Sequence, residues 1–88
     1  MIILNQNLLK IYIKNLSLSD IKKIAYKHNI LLNDNETSCV FNYIKDNYDN
    51  YFNGYLEIDS IINDASLILS KDNYNKLLNI YLKYKENN

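Results

Sequence analysis

The chain holds one imidazole, His28, one thiol, Cys39, and ten carboxylates, and their spacing bounds the chemistry open to it. A nucleophilic side chain needs a base within hydrogen-bond reach. Cys39 and His28 fall on what read as two different helices, and neither belongs to a spacing that holds zinc. His28 shares a stripe with Ile21 and Ile24, which makes it a packed or rim histidine, and Cys39 reads as a small core hydrophobe. The segment from Asp49 to Ser60 places Gly54 and Leu56 at the sixth and eighth positions of a calcium-loop pattern. Tyr51 then stands at the third, where an oxygen ligand is needed, and Ser60 at the twelfth, where a bidentate glutamate closes the site. The segment is therefore expected to be a turn. A single glycine cannot build a phosphate-cradling loop. These readings predict no enzyme, no cofactor and no metal.

Two groups of side chains remain as candidates for binding. Lys22, Lys23 and Lys27, with Tyr26 as a stacking face, form a basic group suited to phosphate. Tyr43, Tyr48, Tyr51 and Tyr55 are candidates for a protein contact, because tyrosine offers a large rigid surface at low entropic cost. All ten basic residues are lysine, so bidentate guanidinium clamps are absent and any anion site rests on lysine and backbone. The abundance of Asn, Ile, Lys and Tyr follows AT-rich codons, which gives the nine tyrosines a mutational explanation as well as a functional one.

Positioning those groups requires a fold, and 88 residues give room for one domain over 1–88. Apolar residues make up 48% and charged residues 23%, an ordinary globular balance with no run long enough to span a membrane. The start, Met1-Ile-Ile-Leu-Asn-Gln-Asn7, lacks the positive charge and small-residue cleavage site of a signal peptide, so a cytoplasmic address is expected. The net charge of zero is unevenly laid out. Residues 1–30 carry a net +4, residues 31–66 a net −6 and the remainder a net +2. Self-neutralisation within the fold is the expected use of this pattern.

The periodicity predicts an all-α, compact single domain of five short helices. The first covers Leu8 to Leu16, where a strand over Ile11 to Ile13 is the alternative. The second follows Ser19 as cap, sets Ile21, Ile24, Ala25 and His28 on one face, and ends at His28-Asn29, since Asn tolerates the left-handed conformation of a helix end. Ile30-Leu-Leu32 then enters the core. Asn33 with Glu36 three residues on has the form of a reciprocal cap, and Val40, Phe41, Ile44, Tyr48, Tyr51 and Phe52 continue a third helix as far as the turn at Gly54. A fourth, short and largely buried, carries Leu56, Ile58, Ile61, Ile62, Ala65 and Ile68, with Glu57, Asp59 and Asp64 in water. Ser70 starts the last, striped by Tyr74, Leu77, Leu78, Tyr81 and Tyr84, and the tail Glu86-Asn-Asn88 frays. An apolar stripe left over on this last helix would suit a homodimer.

Residues 16–30 resemble the first helix of SAP and Rho N-terminal-like domains, which implies phosphate contacts by Lys22, Lys23 and Lys27 and stacking on Tyr26. Across roughly the first two-thirds of the chain, the order of phrases is similar to a small helical family of low-GC Gram-positive bacteria, a domain of unknown function. Ser17-Leu-Ser-Asp-Ile21 and Ala25-Tyr-Lys-His-Asn-Ile30 carry that resemblance; the arginines that family members have in the middle are missing here. It implies a cytosolic all-α domain with no established activity. The functional expectation is a non-catalytic protein-interaction module, with nucleic-acid binding through the basic first third as the alternative.

Overall fold

A computed structural model describes residues 6–86, which form five helices: α1 (Gln6–Lys14), α2 (Leu18–Lys27), α3 (Asp34–Phe52), α4 (Ile58–Ile68) and α5 (Lys71–Glu86). The apolar start at residues 1–5 and the end of the tail at 87–88 lie outside the described residues. The all-α fold expected from the periodicity is the fold found. α1 and α2 both pack on α3, α3 packs on α4, and α4 on α5.

Local chemistry accounts for most boundaries. α2 starts two residues earlier than expected, because Ser17 and not Ser19 is its cap. The Ser17 hydroxyl accepts from the Asp20 N–H at 3.1 Å, and the Asp20 carboxylate accepts from the Ser17 N–H at 2.9 Å. Only Ser17 has a carboxylate three residues on; Ser19 would find Lys22 there. Those bonds, the Ser17 backbone N–H foremost, hold the Asp20 carboxyl below its usual range. Asn29, at φ 64°, ends the helix in the left-handed region as its residue type predicts. The α3 cap is as read: Asn33 accepts from the Glu36 N–H at 2.7 Å, and Glu36 accepts from the Asn33 N–H at 3.1 Å. Gly54, at φ 81°, makes the reversal after α3. α1 is helical through Ile11 to Ile13, and its C-terminal carbonyls of Ile13 and Lys14 accept from the Lys45 ammonium, a cation well placed at that end of the helix dipole.

Charges from the two basic ends meet the acidic middle. Lys10 lies 3.7 Å from Asp49, Lys22 2.5 Å from Asp34 and Lys85 3.9 Å from Asp59. Tyr81 also donates to Asp59, so the end of α5 is tied to the start of α4.

α4 differs from its expectation. Ile62 is buried, but Ile58 is exposed and Leu67 is 87% exposed. Asp64 is half-buried and accepts from the Tyr43 hydroxyl at 2.6 Å, which removes it from the wet set. α4 has helices on only two sides, α3 and α5, so the outer part of its surface stays in solvent. The core is correspondingly thin: among the described residues, the buried hydrophobics are Leu16, Ile21, Ile30 and Ile62.

The polar centre of the fold is Glu36, 4% exposed, and Asn73, 5% exposed. The Glu36 carboxylate accepts from the Ser70 N–H at 2.7 Å and from the Asn73 amide at 3.1 Å to each oxygen, besides closing the α3 cap. One carboxylate thus sits at the N-terminal ends of both α3 and α5, where unpaired N–H groups and helix dipoles favour negative charge. Asn73 also donates to the Leu31 carbonyl at 2.9 Å, and its own N–H is capped by the Ser70 hydroxyl at 3.2 Å. No buried side-chain nitrogen or oxygen among the described residues lacks a partner.

Candidate functional site

The basic group read from the sequence converges on one place. Lys22, Lys23, Tyr26 and Lys27 line a shallow groove of about 460 Å³, whose other wall is the connection Ile30-Leu31-Leu32. Helix periodicity explains the first wall: positions 22, 23, 26 and 27 follow at i, i+1, i+4 and i+5 and share the face of α2 opposite Ile21. The second wall corrects the expectation that Ile30-Leu-Leu32 enters the core as a block. Ile30 is buried, Leu32 half-buried, and Leu31 is 67% exposed. An extended segment alternates sides, so two inward residues force the one between them out. The signal was present in the sequence as three apolar residues between two capped helices.

Both walls are held from behind. The Asn73 amide grips the Leu31 carbonyl, which fixes the backbone while the side chain points out. The Lys22–Asp34 pair bridges α2 to the first residue of α3, and the Lys22 hydrogen bond and charge hold the Asp34 carboxyl below its usual range. Lys22 is therefore partly neutralised. Lys23 lies close enough to Asp20 to act on it electrostatically. Tyr26 is 69% exposed between these lysines. The result is a cationic rim over an apolar floor of Tyr26, Leu31 and Leu32.

Family models, curated proteins and solved structures provide no match to this chain. The resemblances of residues 16–30 accordingly rest on those residues alone, and the site must be read from its own geometry. No helix among the described residues is long and apolar enough to cross a membrane.

The four candidate tyrosines differ in exposure. Tyr43 is half-buried, lines an apolar pocket and is engaged with Asp64; Tyr48 is half-buried; Tyr51 and Tyr55 are exposed, Tyr55 at 83%. Tyr51 rests edge-on against Phe52, with ring centroids 5.4 Å apart. Helix spacing separates 43 from 48, and the Tyr43 hydroxyl finds an acceptor inward. Burial, with the Asp64 hydrogen bond and charge added, pushes the Tyr43 hydroxyl up to about 12.

A folded-state value above the unfolded one means that the stability contributed by Tyr43 is complete below about pH 10 and is lost as pH rises towards 12. Tyr43→Phe should therefore cost about 1 kcal/mol at neutral pH and remove that alkaline loss. Denaturant titrations of both proteins at pH 7 and pH 11 check it, and parallel pH dependences would show the phenol to be uninvolved.

His28 is exposed at the end of α2, and Cys39 is half-buried in α3. Among the described residues, no group of three His, Cys, Asp or Glu is placed to hold a metal ion.

Proposed function

We propose that this protein is a non-catalytic binding module that takes an acidic, apolar segment of another protein in the groove between α2 and Leu31. The observation that supports it is the pairing of exposed Tyr26 and Leu31 with the rim lysines Lys23 and Lys27. An amphipathic segment with carboxylates flanking one or two large apolar residues would satisfy rim and floor together. Exposed aromatic and aliphatic side chains at a cationic rim also match the makeup of interface centres.

Nucleic acid is the second reading, and the same groove is its site. Its support is weaker because Lys22 already pairs with Asp34 and the floor beyond Tyr26 is aliphatic, offering no second face for base stacking.

Selection of a displayed random-peptide library on the immobilised protein separates the two. Enriched sequences are expected to combine Asp or Glu with Leu, Phe or Tyr. Synthetic versions should lose at least about 10-fold in affinity with Lys23→Glu/Lys27→Glu and with Leu31→Asp. Enrichment indifferent to these substitutions, or no enrichment, overturns the protein reading. Salt-sensitive anisotropy of a labelled single-stranded RNA or a DNA duplex at about 50 and 200 mM salt, lost in a Lys22, Lys23, Lys27 triple-Ala variant, would put nucleic acid in its place.

A further inference from the structure

A cavity of about 400 Å³ lies between α2, α3, α4 and α5, on the far side of α2 from the groove. Its walls are built from Ile21 and Ala25 of α2, Ile44 of α3, Ala65 of α4 and Leu77 of α5. It exists because α2 and α5 both lie over this interior without packing on each other. The space is a pocket open to solvent on one side, and its volume is well inside the range of ligand sites. Its exposed lining residues, Ile24, His28 and Ile80, mark an entrance between α2 and α5.

We propose that this cavity binds a single unbranched alkyl chain bearing one polar head, with the chain inside and the head at His28. Three observations fix the chemistry. The lining is aliphatic except for Tyr43 and His28, and the Tyr43 hydroxyl is already spent on Asp64. No buried polar side-chain atom waits for a partner, so the enclosed part of the ligand needs none. The one polar side chain at the entrance is the His28 imidazole, which can meet a carboxylate or a hydroxyl. At about 30 Å³ per heavy atom, the share of a water in the liquid, the volume accommodates roughly thirteen carbons.

This proposal is independent of the groove. Isothermal titration of the full chain with hexanoic, octanoic, decanoic and dodecanoic acids, and with decanol, tests it. Saturable one-to-one binding is expected, with decanoic acid at a Kd of about 10–100 µM. Affinity should rise about fourfold per added methylene and level off once the cavity is full. Decanol should bind as well, because the chain carries the affinity. Ala65→Phe fills the cavity and should weaken decanoic acid at least about 10-fold with the helical circular dichroism retained; Tyr26→Ala, in the groove, should change nothing. Should Ala65→Phe not fold, Ala25→Leu fills the cavity from the opposite wall. Absence of saturable binding up to about 1 mM, uptake of several molecules without saturation, or undiminished affinity in a folded filled variant would each overturn the proposal.

Discussion

Glu36→Ala is expected to lower the stability of the folded chain by about 3–5 kcal/mol, a large share of the roughly 5–15 kcal/mol available to a domain of this size. The substitution removes the acceptor of the Ser70 N–H, the Asn33 N–H and the Asn73 amide at once, and leaves two of these donors partly buried and the Asn73 amide buried with only the Leu31 carbonyl. Unsatisfied buried donors carry their full desolvation cost, which is why the loss exceeds that of an ordinary hydrogen bond. At about 4–8 °C per kcal/mol, the thermal midpoint should fall by about 12–40 °C. A drop below about 1 kcal/mol by chemical denaturation would mean that the three connections around Glu36 are held by something else.

The same residue sets an acid limit. Burial pushes the Glu36 carboxyl up, but the Ser70 and Asn33 N–H groups and the Asn73 amide outweigh burial and hold it below its ordinary 4.5. The unfolded chain therefore takes up this proton first as pH falls. The contribution is fully present above about pH 4.5 and fades below it, through the depressed folded-state value. The difference in stability between wild type and Glu36→Gln should shrink as pH is lowered from 6 to 3, and a constant difference would remove Glu36 from the acid response.

Ile21→Ala is the second large effect, expected at about 3 kcal/mol and a fall of about 12–24 °C in the thermal midpoint. Ile21 is 5% exposed and one of few buried hydrophobics, so its loss falls on a core with little in reserve. It also borders the cavity between α2 and α5, and its truncation enlarges that space instead of being absorbed by neighbours. The cost is the lost transfer free energy plus the larger void. Ala65→Phe, on the opposite wall, changes the void in the other direction and should leave stability equal or higher. Measured together by thermal melts, the two variants should move apart. A shift of the same sign and size in both would show that the two side chains do not share one apolar pocket.

Glu36 and Leu31 together connect the fold to the groove. Asn73, held by Glu36, grips the Leu31 carbonyl and so places the side chain beside Tyr26. From the sequence, Glu36 was legible only as the partner of Asn33. Its bonds to Ser70 and Asn73 join residues more than thirty positions apart, and no local pattern encodes such a pairing.

What this sequence determined by itself is local: five helices, the left-handed stop at Asn29, the reciprocal cap of Asn33 and Glu36, and the lysine face of α2 with Tyr26 inside it. Each depends on side chains within four residues of one another, where spacing and geometry are the same thing. Only the tertiary structure decided which apolar residues are core. Leu31 and Leu67 are apolar by type and point outward, because burial depends on whether another helix covers that face. It likewise decided that Tyr43 turns in to Asp64, that Lys22 pairs with Asp34, and that α2 and α5 leave a cavity between them. Those outcomes depend on distances between elements, which helix packing sets and no periodicity within one element records.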